Sequence, residues 1–150
     1  MLDLQTSQLQ HFDVALRHTF KKAEHLYLRS EIEALFSAGS KSVNIFPIRA
    51  VYRLEKGESD QKVKVLVSVS KRRLRHAVDR NRSKRQMREA YRLQKQILWD
   101  VVPDGYSLHV GFIWLPSQLI KSPLIHRTIK SLMQRIGENI AKAYPIAAED

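Results

Sequence analysis

The sequence predicts one α+β domain, a sandwich of helices on a small sheet with the element order α-β-β-α-β-α. Three observations predict it. Apolar residues alternate with period two over 48–54, 63–70 and 106–115, and they recur at helical spacing over 30–36, 77–99 and from 122 to about 144. The chain has 150 residues and is 43% hydrophobic, enough for a single core. Helices and strands are mixed without the regular βα alternation of a parallel-sheet protein. Residues 1–20 read as an N-terminal extension, 21–145 as the domain and 146–150 as a tail.

The first helix is signalled at Ser30-Glu31-Ile32-Glu33. Ser30 can accept from the Glu33 backbone N–H while the Glu33 carboxylate reaches back, a capping box. Ile32, Leu35 and Phe36 follow at helical spacing, and Gly39 supplies a stop. In the first strand, Ile48 to Leu54, the residues Ile48, Ala50, Tyr52 and Leu54 share a face, with Arg49 and Arg53 on the other. In the second, Val63 to Ser70, the face is Val63, Val65, Val67 and Val69. The polar run Lys56 to Asp60 between them contains a glycine and reads as a hairpin loop. A long helix is expected over Ala77 to Trp99. The third strand, Tyr106 to Leu115, puts Tyr106, Leu108, Val110, Phe112 and Trp114 on one side, bracketed by Pro103, Gly105 and Pro116. The last helix is expected after Ser122-Pro123, with serine as the cap and proline at the first helical position, ending near Tyr144-Pro145.

Charge is the main chemical clue. The chain carries a net +11 and a pI near 10.1. Lys71 to Lys95 holds eleven cations against Asp79 and Glu89, a net +9, which leaves only +2 for all other residues. At about 100° per residue, Asn81, Lys84, Arg85, Arg88, Arg92 and Lys95 fall in one sector of the helix. Ser83, Met87, Ala90, Tyr91, Ile97 and Leu98 fall in another. One face suits the core and the other is a cationic rail. Such a run is commonly a solvated face, but solvated helices interleave Glu with Lys, and this one is arginine-dominated. A membrane-surface helix would need a free apolar face, and here that face is claimed by the core. Arginine's planar fork pairs with phosphate oxygens and stacks on bases, so RNA is the expected partner.

Other chemistries find no support. The absence of cysteine excludes disulfides, thiolate metal sites and a cysteine nucleophile, and fits a reducing compartment. The N-terminus does not read as a signal peptide, and no apolar run approaches the ~20 residues of a membrane helix. His11, His18 and His25 recur every seven residues; on a helix they would stand about 10.5 Å apart, too far to share a metal. Asn81-Arg82-Ser83 matches a glycosylation sequon in a helical setting, an accidental match. No nucleophile elbow, P-loop or dinucleotide fingerprint is present, so no catalytic residue is expected in the protein.

The run Val67-Ser68-Val69-Ser70-Lys71-Arg72, then His76 to Arg85, then Arg88-Glu89-Ala90-Tyr91-Arg92, resembles the signature of the protein component of bacterial ribonuclease P. It covers about 26 residues, and weaker likeness extends from Leu26 to Trp114. The resemblance implies a non-catalytic protein cofactor of a catalytic RNA that uses Mg2+ to cleave the 5′ leader from precursor tRNA. It implies one protein per RNA, a cytoplasmic setting, no membrane association, and a left-handed βαβ crossover around the RNR helix. RNA-binding positions carry over as Lys71, Arg72, Arg80, Asn81, Arg82, Lys84, Arg85, Arg88 and Arg92. A leader-binding cleft between the first helix and the sheet carries over as Phe36, Tyr52, Ser68 and Ser70, with core packing the competing reading for the two aromatics. Ile32 occupies a position that is commonly aromatic. A non-enzymatic RNA- or DNA-binding protein, such as a ribosome-associated factor, is the alternative that charge alone leaves open.

Overall fold

Alternating burial along four strands builds the sheet: β1 (Lys41–Ile45), β2 (Ile48–Lys56), β3 (Val63–Ser68) and β4 (Tyr106–Trp114). The computed structural model describes residues 20–57 and 61–144. The extension and tail expected at the ends therefore lie outside the described residues but for Phe20, as do His11, His18 and residues 58–60 of the loop after β2. The helices are α1 (Arg29–Leu35), α2 (Ala77–Gln94), the short α3 (Gln96–Trp99) and α4 (Ser122–Ala143), preceded by a 3-10 turn at Lys22–Glu24. The mixed α+β class is as the sequence predicts.

The strand order is β1-β2-β4-β3. β2 runs antiparallel to β1 and β4, and β3 runs parallel to β4. The connection from β3 through α2 and α3 to β4 is thus a βαβ crossover. β2 and β3 are not a hairpin, which corrects the expectation for the loop between them. β4 takes the slot between them because it is buried along nearly its whole length, as only a central strand can be. β1 is an addition to the expected elements. It is an edge strand with just Val43 and Ile45 turned inward, too short an alternation to stand out, and it turns into β2 at Phe46-Pro47.

Register sorts the side chains onto two faces. One face carries Ala50, Phe112 and Val67 in one row and Tyr52, Val110 and Val65 in the next. These pack under α2, α3 and α4 in a core that includes Met87, Tyr91, Leu98, Trp114, Ile129, Leu132 and Met133. The other face carries Arg49, Ile113 and Ser68, then Val51, Gly111 and Leu66, then Arg53, His109 and Lys64. There α1 covers a smaller cluster of Leu26, Leu35 and Val51. Gly111 permits that approach, since a Cβ there would stand 3.2 Å from Leu35 Cδ2 and 3.6 Å from Phe36 Cζ.

Three helix boundaries differ from expectation. α1 starts two residues earlier than a Ser30 cap implies, capped by the backbone of Leu28, so Ser30 lies inside the helix and forms no capping box. Glu33 instead accepts from Arg29 Nε at 3.0 Å. In α4, Lys121 is the cap residue and Ser122 is already helical; Ser122 Oγ accepts from Gln86 Nε2 at 2.9 Å, tying α4 to α2. The long helix pinches at Lys95, whose carbonyl accepts from both Leu98 and Trp99, and α3 continues beyond it. α4 ends as expected, with Tyr144 as its cap residue.

Candidate nucleic-acid interface

α2 begins after a tight turn that the sequence builds from Ser70. Ser70 O accepts from the backbone N–H of Arg73 and of Leu74 at 3.1 Å, and Ser70 Oγ accepts from Arg73 N at 3.3 Å. This holds Lys71, Arg72 and Arg73 exposed while Leu74 is buried. Arg80 Nη1 reaches back from the helix to donate to Leu74 O at 3.0 Å and Arg75 O at 2.8 Å. Its guanidinium fixes the turn against the helix, and that turn and the helix then present their cations as one body.

Along α2, Asn81, Arg82 and Arg85 are exposed, and Lys84, Arg88 and Arg92 are half-buried. Arg92 donates to both carboxylate oxygens of Glu89, at 2.9 and 2.5 Å. That hydrogen bonding, ahead of burial, which opposes it, holds the Glu89 carboxyl below its ordinary range. Ser83, Gln86, Met87, Ala90 and Tyr91 are buried on the opposite side. The two-faced helix read from the sequence is therefore present, with one change. Lys95 does not continue the rail; it is buried and paired with Glu24.

On the other face of the sheet, α1 and β2 border a cleft of about 150 Å³ lined by Leu35, Phe36, Lys41, Arg49, Val51 and Ile113, with Ser37, Ser40 and Ser42 at its rim. Phe36 caps α1 and is 49% exposed, so core packing does not account for its ring. Ser68 shares this face, in the row of Ile113 and Arg49. Tyr52 does not, and its placement in the cleft is corrected. It sits two residues along from Ala50 on the helix-packed face, 4% exposed, and its hydroxyl accepts from Asn139 Nδ2 at 3.1 Å. Ser70 is corrected as well: it lies beyond the end of β3 and its hydroxyl serves the turn. Ile32 packs against the small cluster under α1. The cations Lys41 and Arg49 were missed; Arg49 was legible as the outward neighbour of Ile48 and Ala50 in β2.

Taken together, the exposed rail offers forked cationic donors to a phosphate backbone, and the cleft offers one exposed ring with hydroxyls and two cations beside it. Among the described residues no helix is long and apolar enough to cross a membrane.

The family model described as Ribonuclease P matches residues 20–140. A ribonuclease P protein component from Porphyromonas gingivalis is 40% identical over 121 residues, which cover 79% of this chain and 87% of that protein. Another, from Chlorobium phaeobacteroides, is 43% identical over 95 residues, covering 59% and 63%. Among solved structures, the RNase P protein from Thermotoga maritima aligns with a TM-score of 0.59 at 22% identity, covering 75% of this chain and 96% of that one. The Staphylococcus aureus RNase P protein aligns with a TM-score of 0.60 at 17% identity, covering 77% and 96%. At those identities the structural likeness is one of fold.

Proposed function

This chain belongs to the ribonuclease P protein family, and on that footing we propose that it is the RNA-binding protein subunit of a ribonucleoprotein that removes the 5′ leader from precursor tRNA. The observation that carries the proposal is the arginine-rich face of α2, held exposed in one piece by Arg80. Lys71, Arg72, Asn81, Arg82, Lys84, Arg85, Arg88 and Arg92 contact the catalytic RNA. The α1 cleft, with Phe36 and Ser68 on its face of the sheet, takes the single-stranded leader.

The physical role follows from charge. Catalytic RNA and precursor tRNA are both polyanions, and their approach is electrostatically costly. A protein with a cationic rail on one side and a cationic, aromatic cleft on the other offsets part of that repulsion and orients the leader. The Mg2+ used in cleavage resides with the RNA. Among the described residues no three metal-ligating side chains come together, and no chemical step is assigned to the protein. The working unit is one protein per RNA, in the cytoplasm.

The test is processing of precursor tRNA by a bacterial ribonuclease P RNA at low Mg2+, with and without this protein. Stimulation that disappears in the Arg85→Glu/Arg88→Glu variant supports the reading. Tight RNA binding without stimulation would replace it with that of a general RNA-binding protein.

A further inference from the structure

β3 is an edge strand, and the chain preceding α1 covers only part of it. His25 bridges to Val65 in parallel register and Leu26 N donates to Val65 O at 2.9 Å. The chain then turns away into α1 at Leu28. Where it leaves, a pocket of about 160 Å³ opens between the strand edge and α2, lined by Phe20, His25, Tyr27, Leu66, Val67 and Arg88.

Its walls are built. Glu24, the residue before His25, is buried and takes two donors, Lys95 Nζ at 2.7 Å and the Lys21 backbone N–H at 2.9 Å. That anchor holds the Phe20 and His25 rings stacked, 3.9 Å between centroids and 11° between planes, with Phe20 edge-on to Tyr91 of α2 at 5.3 Å. Tyr27, at the other side, is 64% exposed. The cation at the pocket wall, Arg88, belongs to the rail. Burial, then the Arg88 charge, hold the His25 imidazole below its ordinary range, against a hydrogen bond to the Phe20 backbone. The ring is neutral at neutral pH, its N–H engaged by that backbone and its other nitrogen able to accept.

An exposed aromatic ring, a stacked pair whose imidazole is neutral, and a guanidinium around one small pocket match one nucleotide: a flat base and a single phosphate. We infer that this pocket holds one unpaired nucleotide of the catalytic RNA, its base stacked on Tyr27 and its phosphate on Arg88. The catalytic RNA is chosen over the leader because Arg88 is continuous with the α2 rail, whereas the leader cleft opens on the face under α1. This inference rests on the RNA-binding reading above. It adds to the rail an interaction that depends on base stacking rather than on charge.

The experiment uses the full chain with a bacterial ribonuclease P RNA carrying 4-thiouridine, and separately a precursor tRNA. Tyr27→Ala should weaken affinity for the ribonuclease P RNA by between about fivefold and a hundredfold, the range for losing one base–aromatic stack. Tyr27→Phe should retain it, and irradiation should crosslink the RNA to the segment containing His25 and Tyr27. Affinity within twofold of wild type for Tyr27→Ala, with no crosslink there, overturns the pocket while leaving the rail intact. A loss confined to leader-dependent binding of precursor tRNA overturns the assignment to the catalytic RNA. A wild-type protein that binds neither RNA overturns the underlying reading as well.

Discussion

Lys95 Nζ stands 2.7 Å from Glu24 Oε1, with the two side chains only 6% and 2% exposed. The ammonium also lies 5.1 Å from the centre of the Trp99 ring. A cation that helical spacing places on the rail is instead the buried fastener between the segment before α1 and the end of α2. Removing one partner leaves the other charge buried without its ion-pair partner, at a cost of about 3–5 kcal/mol. Lys95→Met should therefore lower the urea midpoint strongly, and Glu24→Gln/Lys95→Met should recover part of the loss. A single-variant loss below about 1 kcal/mol would contradict a desolvated pair.

The exposed rail should behave in the opposite way. Arg85→Glu should leave thermal stability nearly unchanged while weakening RNA binding. The slope of log affinity against log salt should become shallower by about 0.9 for each phosphate that the side chain no longer neutralises. Affinity measured over a salt series checks this; an unchanged slope would mean that Arg85 faces away from the phosphates.

Phe36 and Tyr52 separate the two faces of the sheet. Phe36→Ala should weaken binding of a single-stranded leader by about 1–3 kcal/mol, the range for one stacked base, with little change in stability. Tyr52→Phe should lose about 1 kcal/mol of stability with its Asn139 hydrogen bond and leave leader affinity alone. Titration of fluorescent leader oligonucleotides with each variant distinguishes them, and a leader defect in Tyr52→Phe would refute the placement.

Gly111 is the point at which α1 rests on the sheet. Gly111→Val would push γ-methyls into Leu35 and the Phe36 ring, costing about 1–3 kcal/mol by overpacking and displacing the wall of the cleft. Denaturant melts together with leader affinity should report both effects. Stability equal to wild type would show that α1 moves freely away from the sheet.

His109 should make the fold sensitive to acid. It is buried beside Glu31, whose carboxylate is 3.9 Å away. Burial lowers its affinity for protons, and the charges of Glu31 and Glu55 only partly oppose that. The folded ring titrates below the ordinary 6.5, so as pH falls beneath that value the unfolded chain takes up a proton that the folded chain refuses. Stability falls through that window, down to the folded pKa, and is unaffected above it. Melting temperature should drop as pH falls below 6.5, and His109→Gln should flatten the drop. His25 shares the direction, so the double variant should be flatter still. Identical slopes in wild type and His109→Gln would exclude the histidine.

The sequence made the helix-packed half of the molecule legible because its faces are written in large apolar residues. Val63, Val65 and Val67, or Tyr106 to Trp114, can point only one way. The same parity placed Tyr52 beside Ala50 on the core face, and the aromatic likeness that drew it into the cleft gave way to it. β1 was hidden because two inward residues carry too little signal, and the strand order because adjacency in sequence does not fix adjacency in a sheet. Lys95 was misassigned because helical angle reports direction and not depth: its partner, Glu24, lies 71 residues away. Arg80 was read as an RNA-binding residue, and its bonds to two backbone carbonyls depend on a turn that no periodicity displays.

The rail also shapes the protein before any RNA arrives. Its cations crowd one side of α2 with Glu89 engaged by Arg92 and few other acids to spread the charge, so in the free chain they repel one another. Added salt screens that repulsion and firms up the free fold, while the same salt loosens a complex made through phosphates. Solitary and assembled forms thus answer to ionic strength with opposite signs. Polyanions of any kind should act on the lone chain as folding aids, and the protein is most robust once its counter-charge is another molecule.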